Sequence, residues 1–117
     1  MKTVYVSGPI SSPDPAIQER NVEIGIGYAD LLERAGFKVY CPHRELRSLA
    51  QAGTPYRELM KACLRALKDC DIAVFLEGWE NSKGAREEHW YAGLLNATRA
   101  KQIERVEDIT TFLKGAF

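Results

Sequence analysis

One segment constrains this chain more than any other: Asp71-Ile72-Ala73-Val74-Phe75-Leu76, which is apolar at every position after the first. A strand facing water on one side would alternate polar and apolar residues. This run is therefore predicted to lie at the centre of a parallel sheet with both faces covered. Parallel neighbours need crossover connections, so helices should precede and follow it.

The flanking sequence supplies them. Thr3–Ser7 is a short β-favouring run that stops at Gly8-Pro9 and reads as the first strand. Pro13 and Pro15 delay the first helix, whose apolar pattern is Ile17, Val22, Ile24, Ala29, Leu31, Leu32 and Ala35, with Gly36 as its C-cap. Phe37–Cys41 follows as a second strand ended by Pro42, and residues 43–53 read as a loop with a short helix. Leu59, Met60, Cys63, Leu64 and Leu67 recur at helical spacing over Tyr56–Lys68. A further helix carries Glu88, Lys101–Ile103 is a weak strand candidate, and Val106–Leu113 a final helix. Strands and helices in alternation imply right-handed crossovers and an open sheet, whose ligand crevice lies beyond the carboxyl ends of the strands. Three segments meet there: Ser7–Ser12, Pro42-His43, and Glu77–Glu88.

Composition narrows the partners. The 117 residues suit one domain, 1–117, with a core that needs neither disulfide nor metal. Sixteen basic residues balance sixteen acidic ones, so no global field draws the chain to a nucleic-acid polymer or an anionic membrane, and a small molecule is the default partner. Cys41, Cys63 and Cys70 are odd in number and form no CxxC pair, which suits reduced thiols in a cytoplasmic protein. No signal, transit or long apolar segment is visible. His43 and His89 have no companions at metal-ligand spacing, so neither metal nor cofactor is expected.

Glu88 is the most suggestive chemical group. Helical spacing places it on one side with Ala85, Ala92 and Leu95, the side expected to face the sheet. An inward carboxylate is costly unless donors or the helix dipole hold its charge. Glu87 beside it reads as an ordinary complement to the dipole. In the loop after the first strand, Gly8 permits close backbone approach and Ser7, Ser11 and Ser12 offer hydroxyls, enough to cradle a phosphate or sugar or simply to turn. Neither GxGxxG nor GxxxxGK[ST] is present. Ser82 and Gly84 at the start of the Glu88 helix form a second candidate anion site, although Ser82 would serve equally as an N-cap.

These motifs carry a resemblance. Tyr5-Val6-Ser7-Gly8-Pro9-Ile10, Asp71 at the central strand, Gly78-Trp79-Glu80 and Ser82-x-Gly84-x-x-x-Glu88-x-x-x-Ala92 resemble the nucleoside 2-deoxyribosyltransferase superfamily. The likeness is closest to the deoxynucleoside 5'-monophosphate N-glycosidases and to small, often phage-borne domains of unknown function related to them. It implies a three-layer, Rossmann- or flavodoxin-like α/β domain with an open, mainly parallel sheet of about four to five strands. It also implies a homodimer acting on a nucleotide or nucleoside, by hydrolysis or by base exchange. Position by position, Glu88 matches a nucleophilic glutamate and Tyr5 the tyrosine that orients it. Ser82 falls on a 5'-phosphate site, Gly8 and Ile10 on a loop around the sugar, and His43 near a substrate-side histidine. The chemistry suits an oxocarbenium-like sugar, which needs an anion on one face; here a glutamate held ionised by a helix N-terminus would supply it.

One position departs from the pattern. Members commonly have an aspartate eight residues before the one that opens the central strand, and this chain has Cys63. A thiol with a reference pKa of about 8.5 is largely neutral and bonds weakly, so the departure leaves open a nucleotide-binding module that has lost turnover. Asp71 reads as a group that satisfies amides at a strand start. Trp79 and Trp90 read as core or dimer packing rather than base-stacking groups, and Arg20, Arg34, Arg44 and Arg47 as a solvated face.

Overall fold

A computed structural model describes residues 2–96, 101–104, 108–109, 111–112 and 114. Four strands, β1 (Thr3–Ser7), β2 (Lys38–Tyr40), β3 (Ile72–Phe75) and β4 (Lys101–Ile103), form one open sheet in the order β2-β1-β3-β4. Every pairing is parallel, with Val4 opposite both Val39 and Ile72 and Val74 opposite Ile103. The apolar β3 thus lies between two neighbours, as its composition demands.

Alternation along the strands sorts the core into two layers. Val4, Val6, Ile72, Val74 and Ile103 face one side, against Ala29 and Leu32 of α1 (Pro15–Arg34) and against Ile109. Tyr5, Ala73 and Phe75 face the other, against Cys63 and Leu67 of α4 (Tyr56–Lys68) and Ala92 of α5 (Lys83–Asn96). The core residues of β1 and β3 therefore have helices on both sides, and the centre of the sheet is covered on both faces. Asp71 closes the edge opposite the strand ends: its Oδ2 accepts from the Thr3 amide at 3.0 Å and the Thr3 hydroxyl at 3.1 Å, joining β1 to β3.

Several local readings need correction. The first helix begins at Pro15 itself, because Asp14 caps it by accepting from Ala16 N and a proline is tolerated at the first helical position. Its buried stripe is Gly25, Ala29 and Leu32, whereas Ile17, Ile24 and Leu31 of the expected apolar pattern are exposed. Pro42 does not merely end β2. It opens a short helix, α2 (Pro42–Glu45), followed by α3 (Arg47–Gln51), where one short helix was expected in a loop. Arg44, expected on a solvated face, brackets α2 to α1 through Glu33 at 2.7 Å. At the other end of α1 the capping is as expected. Gly36 takes φ +96° while its amide donates to Glu33 O and that of Phe37 donates to Leu32 O, a Schellman closure. Residues 108–109, 111–112 and 114 are helical, and the remainder of the expected 106–113 helix lies outside the described residues.

Candidate active site

The strand order reverses direction between β1 and β3, since β2 lies to one side of β1 and β4 beyond β3. At such a switch point the connections diverge to opposite faces and leave a crevice past the strand ends. A cleft of about 500 Å³ occupies this place. Gly8, Ile10 and Ser11 reach it from the β1 turn, Pro42 and His43 from α2, and Ser82, Gly84 and Glu88 from the start of α5. Helices α1, α3 and α4 form the walls, with Gln18 and Val22, Arg47 and Ala50, and Leu59 and Met60.

Glu88 lies at the inner end with only 5 % of its surface exposed. The Tyr5 hydroxyl donates to Oε2, and Ser7 Oγ donates to Oε1 at 3.0 Å. Tyr5 is itself fully buried and stacks on Tyr40 with ring centroids 5.5 Å apart, so the phenol has little freedom to turn away. Two neutral hydroxyls do not offset the loss of water: burial pushes the Glu88 carboxyl from 4.5 up to about 8. The helix N-terminus therefore does not hold the Glu88 carboxyl in the usual carboxylate range, contrary to expectation. Glu88 stands in the second turn of α5, and the dipole's influence falls off within the first.

The end of β1 and the loop after it supply less to the cleft than their three serines suggest. Ser7 is spent on Glu88, and Ser12 on its own loop, where its Oγ accepts from the Asp14 amide at 3.1 Å. Ser11 alone of the three reaches the cleft. Gly8 is needed for packing as well: a Cβ there would come within 2.9 Å of Leu76 Cβ. At α5 the Ser82 Oγ accepts from the Ala85 amide at 3.3 Å, so Ser82 is an N-cap, with its own hydroxyl proton still available to a ligand. Helix geometry leaves the following amides, of Lys83 and Gly84, without intrahelical acceptors.

The whole of this arrangement falls within a known family boundary. A family model described as Domain of unknown function (DUF4406) matches residues 2–98. The chain belongs to that family. The DUF4406 match begins just before β1 and extends past α5, so every cleft residue named above lies inside it. A comparison with curated proteins finds no match.

Within the DUF4406 segment the structure also places the weaker candidates. Cys63 does line the cleft, 3 % exposed, and burial pushes its thiol up to about 12, so it brings neither charge nor a strong hydrogen bond. Trp79 packs away from the cleft, against Phe75 and stacked at 4.0 Å on His89, which also bonds Glu104. Trp90 is 68 % exposed on α5 and is not core packing. Among the described residues no group of three or more His, Cys, Asp or Glu could hold a metal ion, and no helix is long and apolar enough to cross a membrane.

Sequence reasoning names Ser7 without its role and misses Gly25, and both shape the DUF4406 site. Ser7 is expected to offer its hydroxyl to a ligand or merely to a turn, yet strand alternation puts it on the same face as Tyr5, two residues earlier, so a Tyr5 bond to Glu88 already implies a second hydroxyl beside it. Gly25 was overlooked altogether. It sits on the buried stripe of α1, where a Cβ would lie 2.3 Å from His43 Cγ, and no local pattern ties two residues so far apart in the chain.

Proposed function

We propose that this chain is an N-glycosidase that hydrolyses the base–sugar bond of a (deoxy)nucleoside 5'-monophosphate, with Glu88 as nucleophile. The observation that carries the reading is the buried Glu88 carboxyl at the inner end of the cleft, each oxygen held by a hydroxyl from one strand face. Such a group has few structural uses, since among the described residues its partners are two neutral hydroxyls and neither a backbone amide nor a cation. The motif resemblance to the nucleoside 2-deoxyribosyltransferase superfamily, with its Rossmann-like, flavodoxin-like fold, supports the same assignment. The strand order observed here suits it.

In this mechanism Glu88 first loses its proton, and Tyr5 and Ser7 keep the carboxylate aimed at the anomeric carbon. A carboxylate oxygen bonds to that carbon as the carbon–nitrogen bond breaks. The base leaves with the electron pair and takes up a proton from solvent water. Water then cleaves the glycosyl ester and restores Glu88, as in retaining glycosidases. The 5'-phosphate is placed at the Ser82 hydroxyl and the Lys83 and Gly84 amides. A reducing cytoplasm fits the three buried, free thiols, and a homodimer belongs to the same proposal through the resemblance alone.

A second reading has one observation in its favour. Cys63 faces the cleft as a neutral thiol where the related enzymes present an aspartate, which favours a nucleotide-binding module with weak or no turnover. Incubating the protein with a panel of nucleosides and 5'-monophosphates and measuring free base by chromatography separates the two. Glu88→Gln is expected to abolish base release while nucleotide still binds. Turnover by that variant, or no release from any member of the panel by the parent, would remove the glycosidase assignment.

A further inference from the structure

Both ring nitrogens of His43 are engaged within the protein. Nε2 lies 3.1 Å from the Pro9 carbonyl oxygen and Nδ1 lies 3.6 Å from Cys41 Sγ. A carbonyl oxygen can only accept, so Nε2 carries the ring proton and Nδ1 presents its lone pair to the thiol. That thiol stays protonated, because burial pushes Cys41 up to about 11. Burial likewise lowers the tendency of His43 to take a second proton, and its side chain is sealed against α1 at Gly25. One turn earlier on the same helix, Asn21 Nδ2 donates to the Ile10 carbonyl at 3.3 Å. Two consecutive carbonyls of the turn after β1 are therefore held from two directions, Pro9 from α2 and Ile10 from α1.

We propose that His43 is a positioning residue and not the proton donor to the departing base: together with Asn21 and the notch at Gly25, it fixes Pro9 and Ile10 so that this turn holds the sugar over Glu88. The inference rests on the glycosidase reading for its substrate but not for its geometry. A histidine serving as acid would need a nitrogen turned to the cleft with an exchangeable proton. Here the proton-bearing nitrogen is turned to the protein's own backbone.

Three variants test it. His43→Gln keeps an amide N–H near the place of Nε2–H but removes the titratable ring; His43→Leu keeps the bulk and removes the donor; Gly25→Ala pushes the ring aside. Each is assayed for kcat and KM on the 5'-monophosphate most readily hydrolysed by the parent, from pH 5.5 to 9. In parallel, 15N NMR reads the His43 tautomer in the parent at pH 7 and the backbone order of Ile10 and Ser11 in every variant. The expected result is an Nε2–H tautomer, a pH profile of unchanged shape in His43→Gln, and a KM raised about tenfold or more in His43→Leu, as loss of one buried hydrogen bond allows. Order at Ile10 and Ser11 should fall in His43→Leu and be rescued in His43→Gln. An Nδ1–H tautomer, or a limb of the pH profile lost in His43→Gln, would overturn the proposal. Should Gly25→Ala fail to fold, Asn21→Ala takes its place, with loss of order at Ile10 expected and unchanged order counting against the brace. A parent inactive on every substrate would sink the glycosidase reading alone, since tautomer and backbone order still decide the positioning role.

Discussion

Glu88→Gln is expected to stabilise the protein at neutral pH, by an amount that follows from its burial. The unfolded chain ionises this side chain above about pH 4.5, whereas the folded one retains the proton until about pH 8. Between those values the folded state binds more protons than the unfolded state, so stability falls as pH rises. The contribution is fully present below pH 4.5 and is lost as pH climbs through 8. With about 1.36 kcal/mol per unit, and pH 7 roughly 2.5 units above the unfolded value, the acid weakens the fold by roughly 3 kcal/mol at pH 7. Glutamine has nearly the same shape and no proton to lose, and its amide can donate to one of the Tyr5 and Ser7 hydroxyls while accepting from the other. Urea unfolding of parent and variant at pH 4.5, 6, 7 and 8 measures the difference. The two should nearly coincide at pH 4.5 and separate steadily, with a midpoint difference on the order of 1–3 M at pH 7 for a typical urea slope. Parallel curves across the range, or a gap that narrows as pH rises, would refute the argument that burial dominates the Glu88 carboxyl.

The same shift sets the pH dependence of turnover: kcat/KM should rise from pH 6 and level off above about pH 8, as the carboxylate form is populated, and a profile that falls over this range would contradict a Glu88 nucleophile. Ser82→Ala removes the cap on the Ala85 amide and should lower stability by about 1 kcal/mol in urea unfolding. It should also narrow the preference for a 5'-monophosphate over its nucleoside in calorimetric binding, and an unaltered preference would move the phosphate elsewhere. Cys63→Asp places a carboxyl at a cleft position now held by a neutral thiol, and should raise kcat/KM at some expense in melting temperature. A folded variant with no gain, alongside a parent that releases no base, would favour the binding-module reading.

The order and type of the main elements were legible in the sequence because they depend on local chemistry. An apolar run without alternation demands two covered faces, which located β3 at the interior of a parallel sheet. Tyr56–Lys68 carries a strong period and no internal breaker, and its observed span matches its expected one. The side of α5 that carries Glu88 also followed from spacing, since Ala85 and Ala92 fix which face turns inward. The reading of α1 was poorer, as its apolar residues are spread around the helix and only tertiary packing selects the Gly25–Ala29–Leu32 stripe.

The candidate site divides along the same line. Sequence spacing by itself could nominate Glu88, Gly8, Ser82 and His43, because the alternation of elements brings their segments to one edge, whereas Tyr5, in the middle of β1, came only from the motif resemblance. The protonation of Glu88, the orientation of the His43 ring and the true role of Ser7 required the assembled structure. Each depends on groups far apart in the chain: Tyr5 and Ser7 of β1 on Glu88 of α5, and Gly25 of α1 on His43 of α2. Desolvation and close contact are properties of what surrounds a side chain in space. A linear pattern specifies which face a residue occupies, and only the packed layers decide how much water, and which hydroxyl or carbonyl, remains beside it.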